Sequence, residues 1–385
     1  MIMTRLQKNN VTKQNNKRRV VMIGHKTIPS RQGGVEIVVD RLSTGLAADG
    51  YEVWAYNRGR AENAEDCHNG VRIRHIPAPA SSGLNAFVYA CLATIRATIA
   101  GFDVYHYHAE GPCVMLWLPA FVRRRSRIIV TIHGLDWQRA KWGRFASLVI
   151  RTGEKQAVRH ADEIIVLSRN VQRYFTEIYG RKTVYVPNGV DRPEPVSPAL
   201  ITERFGLSGN DYVLFVARIV PEKGLHYLIE AFKKIKTDKK LVIAGGSGQA
   251  DDYMRRITEM ASGDDRIILT GFVEGRTLAE LYSNAYLYVC PSDVEGMSLS
   301  LLEAASYGNC CLISDIPENA EVMEDHSVTF LHGDSEDLRS KLEALIESPG
   351  QVASLRSSTA DFICSKYDWN RMIADTGALY GNPPE

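Results

Sequence analysis

Short apolar stretches of strand length alternate with longer stretches of helical spacing along most of the chain. In the first half, RRVVMIG (18–24) has the pattern of a buried strand, and GGVEIVVDRLSTGLAADG (33–50) has apolar positions at helical spacing up to Gly50. Further strands are predicted at 51–58, 71–77, 103–108, 127–134, 163–168 and 183–191. Strands that alternate with helices predict a parallel sheet covered on both faces.

A second series of the same kind follows the proline-rich segment RPEPVSP (192–198), which we interpret as a linker. Its predicted strands lie at 212–218, 240–246, 266–272, 285–291 and 309–314. The segment 366–381 then has the pattern of a helix with aromatic anchors. The sequence thus predicts an α/β protein of two tandem open domains with a cleft between them. Ligands of such domains bind beyond the carboxyl ends of the strands.

Two cations follow the first strand of the second series. In ARIVPEKG (217–224), Arg218 ends the strand and Lys223 follows five residues later, across a turn that contains Pro221. An arginine binds phosphate as a fork and a lysine binds it as a point charge, so the pair suits a diphosphate. A solvated turn is the alternative interpretation of these residues.

Glycine-rich turns follow the next two strands. The loop IAGGSGQ (243–249) would let a backbone approach a ligand closely, but it lacks the G-x-G-x-x-G spacing of a dinucleotide fingerprint. The loop TGFVEG (270–275) could present its backbone to the edge of a flat base, and an ordinary turn is the alternative.

The stretch PSDVEGMSLSLLEAASYG (291–308) places two glutamates around the start of a predicted helix. The helix would begin near Ser298 and end at Gly308, and its first backbone N–H groups would form an anion site together with the helix dipole. These N–H groups belong to Met297, Ser298 and Leu299. A diphosphate bound there would leave Glu303 near a ribose and Glu295 near the group on the far side of the diphosphate.

Charge divides the chain at the same place as the pattern of elements. The 385 residues are 45% hydrophobic and 24% charged, as in a soluble globular protein of two domains. Residues 1–190 hold 28 basic and 14 acidic side chains, whereas residues 191–385 hold 18 and 31. None of the seven cysteines forms a C-x-x-C pair, and the first twenty residues lack an apolar signal segment, so we expect a cytoplasmic protein.

Taken together, these motifs resemble those of retaining GT-B glycosyltransferases of the family 4 type. Glu295 and Glu303 match the E-x7-E motif of that family, and Arg218 and Lys223 match its R-x4-K phosphate motif. The loops AGGSG and TGFV match its nucleotide loops, and YDWNRMIADTGALY matches its C-terminal helix. The segment GHKTIPSRQGGVEIVV (24–39) is also similar to bacterial rhamnosyltransferases that build capsule or cell-wall polysaccharide.

The resemblance implies roles for further residues. Gly33 and Gly34 correspond to a loop that closes over the diphosphate, and His133 corresponds to the histidine that contacts the donor sugar. Asp136 is a candidate for orienting His133 or the acceptor, and Glu36 is a second candidate on the acceptor side. The nucleotide loops supply Gly246 and Val273. Glu36, His25, His106 and His108 are further candidates for the cleft, and a structural role is the favoured interpretation of each.

The implied fold is GT-B, with two Rossmann-like domains and an interdomain cleft. We expect a basic leader at 1–18, an acceptor-side domain at 19–191 and a nucleotide-sugar domain at 199–366. The C-terminal helix, 367–385, should pack back onto the first domain.

The implied reaction is transfer of a sugar from a nucleotide diphosphosugar, with dTDP-L-rhamnose as the first candidate, to a hydroxyl of a saccharide or a polyprenyl-diphosphate-linked acceptor. Three alternatives stay open. They are a UDP-hexose or UDP-HexNAc transferase, an epimerase or hydrolase of the same fold, and a non-catalytic nucleotide-sugar binding subunit.

The sequence predicts that the reaction needs no metal or other cofactor, because it has no D-x-D motif and no His/Cys cluster at metal-ligand spacing. Basic residues of 139–160 alternate with Trp142, Phe145, Leu148 and Ile150, which predicts peripheral attachment to the anionic inner face of a membrane. A solvated helix face is the alternative. Nucleic-acid binding is not expected, because no recognised module accompanies the charge.

Overall fold

The computed structural model describes residues 17–59, 67–79, 82–138, 144–246 and 252–381, and for 82–84 and 144–145 it describes the backbone only. Within these residues the chain forms two parallel sheets with helices on both faces. The predicted two-domain α/β architecture is therefore confirmed.

The first sheet has eight strands in the order β3-β4-β2-β1-β5-β6-β7-β8, and β3 is antiparallel to its neighbour. The strands are β1 (Arg19–Ile23), β2 (Glu52–Arg58), β3 (Cys67–His68), β4 (Val71–Ile76), β5 (Val104–His108), β6 (Arg127–Ile132), β7 (Glu163–Val166) and β8 (Val184–Tyr185). The helices are α1 (Gly34–Ala48), α2 (Ser82–Ala100), α3 (Trp117–Val122), α4 (Arg144–His160) and α5 (Arg169–Tyr179). Short 3₁₀ turns cover Gly111–Met115 and Asp136–Gln138.

The second sheet has six parallel strands in the order β11-β10-β9-β12-β13-β14. The strands are β9 (Tyr212–Val216), β10 (Lys240–Ala244), β11 (Ile267–Gly271), β12 (Leu287–Cys290), β13 (Cys311–Ser314) and β14 (Val328–Phe330). The helices are α6 (Leu200–Phe205), α7 (Leu225–Lys233), α8 (Asp252–Ala261), α9 (Gly275–Asn284), α10 (Leu299–Ser306), α11 (Pro317–Met323), α12 (Ser335–Glu347), α13 (Pro349–Lys366) and α14 (Trp369–Leu379). A 3₁₀ turn covers Pro221–Lys223.

Three details of the sheets differ from the expectation. The strands β3 and β14, of two and three residues, were not predicted, because such short segments show no periodicity. The segment predicted as a strand at 183–191 pairs only at β8, and its remainder is the irregular chain that leads to the second domain.

The strand order reverses once in each sheet, and each reversal opens a crevice at the carboxyl ends of two strands. In the first sheet, β1 lies between β2 and β5, and in the second sheet β9 lies between β10 and β12. Such a switch point is where open α/β sheets bind ligands. The carboxyl ends of β9 and β12 lead directly into the motifs that contain Arg218 and Glu295.

The helix α14 packs against α1, so the last helix of the chain contacts the first domain. A Cβ atom at Gly45 of α1 would lie 2.4 Å from Cδ1 of Ile373, so only a glycine lets the two helices approach this closely. Beyond α14, the buried Tyr380 joins the same apolar cluster as Leu42 and Leu46 of α1. The core of the first domain is therefore completed by residues from the far end of the chain.

Candidate active site

The lysine and the first glutamate of the predicted site form an ion pair. Lys223, at the end of the 3₁₀ turn after β9, contacts Oε1 of Glu295 in the loop after β12. The side chains are 16% and 8% exposed, so water screens their attraction only in part. Ser292 Oγ donates a second hydrogen bond to the same carboxylate oxygen, at 2.8 Å.

Arg218 lies at the same crevice but has a different environment. Its side chain is half-buried, and within the described part of the chain its guanidinium has neither a hydrogen bond nor an ion pair. A cation beside a switch point that lacks a protein counter-ion can bind an anionic ligand without first breaking an internal contact. Arg218 is thus the cation of the predicted pair whose charge is available to a phosphate.

The helix α10 begins as predicted, with Ser298 as its N-cap. Ser298 Oγ accepts a hydrogen bond from the backbone N–H of Leu301 at 3.4 Å, and Gly308 follows the helix with φ of +74°. Within the described residues, the backbone N–H groups of Met297 to Leu299 have no protein acceptor. Free N–H groups at the start of a helix can bind an anion, so the predicted anion site is compatible with this geometry.

Glu303 lies on α10, and its side chain is only partly exposed. Its Oε2 accepts a hydrogen bond from the hydroxyl of Tyr282 at 3.1 Å. Burial raises the pKa of Glu303 above its usual value, and the Tyr282 hydrogen bond offsets part of this effect. A carboxylate that retains acceptor capacity near a helix N-terminus suits the hydroxyl groups of a ribose.

The described parts of the two predicted nucleotide loops, 243–246 and 270–275, pack next to each other beside the Arg218 loop, and residues 247–249 lie outside the described residues. We call Arg218, Lys223 and Glu295 the clamp. Gly245 has φ of +154°, and a Cβ atom there would lie 1.8 Å from the carbonyl oxygen of Ala217. The backbone N–H of Ile219 donates to the carbonyl of Gly246 at 3.3 Å, which places Gly246 next to the Arg218 loop. Val273 is buried and packs in the main core of the second domain, so any contact with a base would come from its backbone.

The two domains touch at the motif loops themselves. A Cβ atom at Gly134 would lie 3.1 Å from Cα of Gly296, and one at Gly296 would lie 1.8 Å from the carbonyl oxygen of His133. A Cβ atom at Gly34 would lie 3.5 Å from the side chain of Leu299. The sequence elements assigned to the donor sugar and to the diphosphate therefore meet across one interdomain boundary.

His133 belongs to a group of buried histidines at the carboxyl ends of β5 and β6. Its Nε2 lies 3.0 Å from Nδ1 of His108, and the His108 ring stacks on His106 with 4.3 Å between ring centroids. His106 in turn contacts Tyr380 and Thr131 through its two ring nitrogens, at 2.7 and 2.8 Å.

The two candidates on the acceptor side have different surroundings. Glu36 is buried, and its Oε1 accepts a hydrogen bond from the backbone N–H of Lys26 at 3.1 Å. A Cβ atom at Gly33 would lie 2.1 Å from Oε2 of Glu36, so a larger residue there would displace the carboxylate. The structural role that the sequence favoured for Glu36 stays a prediction.

Asp136 is half-buried, and its backbone N–H donates to Oε1 of the fully buried Glu110 at 3.1 Å. Burial, together with the nearby charge of Asp136, raises the pKa of Glu110 well above its usual value. Glu110 is therefore a buried support beneath the Asp136 turn.

Two contacting residues, Ser292 and Tyr282, were not singled out from the sequence. Ser292 immediately follows a predicted strand, and that position was an available signal. Tyr282 lies inside a helix, where it looks like an ordinary core residue, and only its long-range contact reveals it. His108 was a candidate for the cleft, but its contact with His133 was not predicted.

Two family models match the chain, and together they span most of it. The model described as Glycosyltransferase Family 4 matches residues 32–193, and the model described as Glycosyl transferases group 1 matches residues 201–361. The boundary between the two matches falls in the predicted linker.

Relatives and solved structures agree with this division. The chain is 26% identical to the D-inositol 3-phosphate glycosyltransferase of Xylanimonas cellulosilytica, over 92% of this chain and 94% of that protein. It is 23% identical to the GDP-mannose-dependent alpha-(1-6)-phosphatidylinositol monomannoside mannosyltransferase of Mycobacterium tuberculosis, over 92% and 96%. The structure of Anabaena HepE in complex with UDP-glucose is similar with a TM-score of 0.78 and 17% identity, over 94% and 99%.

The fold and the two matched models together identify the chain as a glycosyltransferase of the GT-B fold. Within that class, the amino-terminal half of the chain is similar to the model described as Glycosyltransferase Family 4.

Proposed function

We propose that this protein is a retaining glycosyltransferase that uses a nucleotide diphosphosugar to glycosylate a hydroxyl of a lipid-linked or saccharide acceptor in bacterial surface polysaccharide synthesis. The observation that carries the proposal is the joint placement of Arg218, the Lys223–Glu295 pair and the free end of α10 at one switch point. This arrangement offers positive charge to a diphosphate and a carboxylate to the sugar beyond it.

In this proposal the bond between the sugar C1 and the diphosphate oxygen breaks, and negative charge builds on the leaving diphosphate. Arg218 and the N-terminus of α10 stabilise that charge, and Lys223 can turn from Glu295 to share in it. The acceptor oxygen forms its bond to C1 on the face that the diphosphate leaves. Its proton passes to a leaving phosphate oxygen, so the products are the glycoside and the nucleoside diphosphate.

The donor is proposed in two steps of decreasing generality. The cations of the clamp suit a nucleotide diphosphosugar. Within that class dTDP-L-rhamnose is the first candidate, because the segment 24–39 is similar to bacterial rhamnosyltransferases. A UDP-hexose is the second candidate, because the fold-related HepE was solved with UDP-glucose. Thermal shift with a panel of dTDP-, UDP- and GDP-sugars tests the choice, since only a bound donor should raise the melting temperature.

Product analysis separates transfer from the other reactions of the same fold. The proposal expects little turnover of the matching donor alone, and release of nucleoside diphosphate only when an acceptor is added. Fast turnover without acceptor would indicate a hydrolase or epimerase instead. Tight binding with no turnover under any condition would indicate a non-catalytic binding subunit.

Metal independence is the first prediction. Within the described residues, no group of three or more His, Cys, Asp or Glu side chains could hold a metal ion. We expect the transfer rate to be unchanged after treatment with EDTA, because the protein's own cations stabilise the leaving group. Loss of activity on chelation that Mn²⁺ or Mg²⁺ restores would contradict this expectation.

An exposed apolar surface on the first domain supports the proposal of a membrane-bound acceptor. Among the described residues, nine large hydrophobic side chains are exposed, and six of these lie on α2, α3 and α4. The helix α3 packs against both α2 and α4. This apolar patch consists of Ile95, Ile99, Trp117, Phe121, Val122 and Leu148. The same helices, and the segment directly after α3, also carry exposed basic residues, which are Arg96, Arg124, Arg125, Arg151 and Lys155.

The structure changes the predicted composition of this surface. Ile150, predicted as part of it, is buried in the domain, because it lies on the inward side of α4. Trp142 and Lys141 lie outside the described residues, and the side chain of Phe145 is not described. The patch formed by α2 and α3 was missed, because its residues are far apart in the sequence. Within the described residues, no helix is sufficiently long and apolar to span a bilayer.

Binding to anionic liposomes is the second prediction. We expect the protein to float with anionic vesicles but not with neutral ones, since each basic residue near such a surface contributes about 1 kcal/mol. About 0.5 M salt should release it by screening. Phe121→Asp should weaken flotation, whereas Leu331→Asp, at an equally exposed position of the second domain, should not. Equal, negligible binding to both vesicle types would favour a soluble acceptor.

A further inference from the structure

The contact between His108 and His133 joins two neighbouring strands of the first sheet. His108 ends β5, and His133 follows β6 by one residue. The strands are in register with His108 opposite Thr131, which brings the two rings together at the carboxyl edge of the sheet. His108 is fully buried, so the contact is shielded from water.

The His108 ring is neutral at physiological pH. Burial is the main cause that lowers its pKa well below the usual value, and the neighbouring His106 and His133 lower it further. Burial likewise lowers the pKa of His106 to about 3. A neutral imidazole carries one N–H and one bare nitrogen, so the bond to His133 must use one of these two forms.

The unpaired nitrogen indicates which form is present. Nε2 of His108 is buried and has no hydrogen-bond partner within the described residues. A buried N–H without an acceptor is rarer than a buried acceptor without a donor, so Nε2 is the bare nitrogen and the proton is on Nδ1.

His25, in the same domain, shows the same arrangement with an independent check. Its Nε2 lies 2.9 Å from Oδ1 of Asn57, and the Asn57 amide nitrogen donates to the carbonyl of Ile28, which fixes the orientation of the amide. The His25 proton is therefore on Nε2, and Nδ1, which is buried and has no partner among the described residues, is again the bare nitrogen.

We propose that His108 is a positioning residue that donates its Nδ1–H to Nε2 of His133 and thereby holds His133 with its proton on Nδ1. The inference rests on the proposed role of His133 at the donor sugar. The tautomer of His133 determines which of its ring nitrogens can donate a hydrogen bond there. A histidine held in one tautomer and one orientation meets its substrate without reorganisation.

The ring of His106 supports this arrangement from below. Tyr380 and Thr131 hold its two nitrogens, and its face packs against His108. Because Tyr380 follows α14, the segment after this helix helps to hold His106, and through it His108, in place.

Nitrogen-15 NMR of ligand-free protein with labelled histidine tests the proposal directly. A protonated and a bare ring nitrogen give well-separated shifts, and His133→Gln and His108→Asn identify the two residues. In the wild-type protein at neutral pH, we expect His133 to be protonated at Nδ1 and bare at Nε2. Protonation of His133 at Nε2 overturns the proposal without any further variant.

Two variants of His108 separate positioning from packing. His108→Leu removes the donor, so we expect a mixture of His133 tautomers and a kcat lower by roughly tenfold to a hundredfold, as for other partners that orient a functional histidine. In His108→Asn the amide nitrogen takes the place of Nδ1, so most of the rate should return, and KM for the donor should change little. An unchanged His133 tautomer in His108→Leu contradicts the proposal.

His25→Leu is the matched control, since it also removes a buried neutral histidine from the first domain. We expect it to lower the melting temperature but to leave the His133 tautomer unchanged. The NMR result does not depend on catalysis. Suppose that His108→Leu changes the His133 tautomer but that the wild-type protein transfers no sugar. This result would reject the proposed function and leave the inference about His108 standing.

Discussion

Arg218→Ala should lower kcat by about two to three orders of magnitude, with little change in the melting temperature. Preorganised charge at a leaving group contributes about 2.7–4 kcal/mol of transition-state stabilisation per donor, and Arg218 is placed where that charge develops. Folding should be spared, because its guanidinium has no partner within the described residues. Steady-state kinetics with the matching donor, together with thermal unfolding, measures both effects.

Arg255→Ala is the control for a general loss of positive charge. Arg255 is an exposed arginine on α8 of the same domain, and within the described residues its ion pair is with Asp252 on its own helix. Its removal should leave kcat within about twofold, because an exposed pair contributes at most ~1 kcal/mol. A wild-type rate in Arg218→Ala would contradict the proposal that Arg218 stabilises the leaving diphosphate.

Lys223 is a less direct test of the same clamp. Lys223→Ala should also lower kcat by about two orders of magnitude. It additionally leaves the nearly buried Glu295 carboxylate without its cation, and breaking a buried pair typically costs about 3–5 kcal/mol. A lower melting temperature is therefore expected for this variant, and Arg218→Ala gives the cleaner reading.

The two glutamates should separate by ligand. Glu303→Ala should weaken binding of free nucleoside diphosphate and of donor by about tenfold, because Glu303 is assigned to the ribose hydroxyls and a hydrogen bond to a charged group contributes about 1.5–3 kcal/mol. Isothermal titration calorimetry with the nucleotide and with the donor measures the two affinities. Tyr282→Phe is the matched control, because it removes only the hydrogen bond to Glu303.

Glu295→Gln should have the opposite effect. Transfer should fall by about two orders of magnitude, while affinity for free nucleoside diphosphate should stay the same or rise, because Lys223 loses its counter-ion and is available to the phosphates. The opposite result would show that the donor binds in the reverse orientation. In that case Glu295→Gln would weaken binding of the free nucleotide, and Glu303→Ala would leave it unchanged.

Much of the fold follows from local pattern. Buried strands such as β9 and β10 are continuous apolar stretches, and the glycine after α10 marks the end of that helix, so these elements could be predicted from neighbouring residues alone. The motifs around Arg218 and Glu295 could be found in the same way, because they follow predicted strands directly.

The pairing of side chains could not be predicted, because it depends on how the sheets are ordered. Lys223 and Glu295 are 72 residues apart, and they meet only because β9 and β12 are neighbours. From the sequence alone, Arg218 and Lys223 were both predicted to bind phosphate, whereas in the structure Lys223 pairs with the Glu295 carboxylate. The contact of His108 with His133, and that of Tyr380 with His106, could not be predicted for the same reason.

The packing of α14 on α1 means that the first domain is not a continuous stretch of sequence. A fragment that ends at the linker, near residue 191, would leave Leu42 and Leu46 of α1 without their cover and His106 without its bond from Tyr380. Such a fragment exposes an apolar face and is prone to aggregate. Separate expression of this domain therefore calls for a chimaera in which the segment around 367–381 is rejoined to residue 191 by a flexible linker.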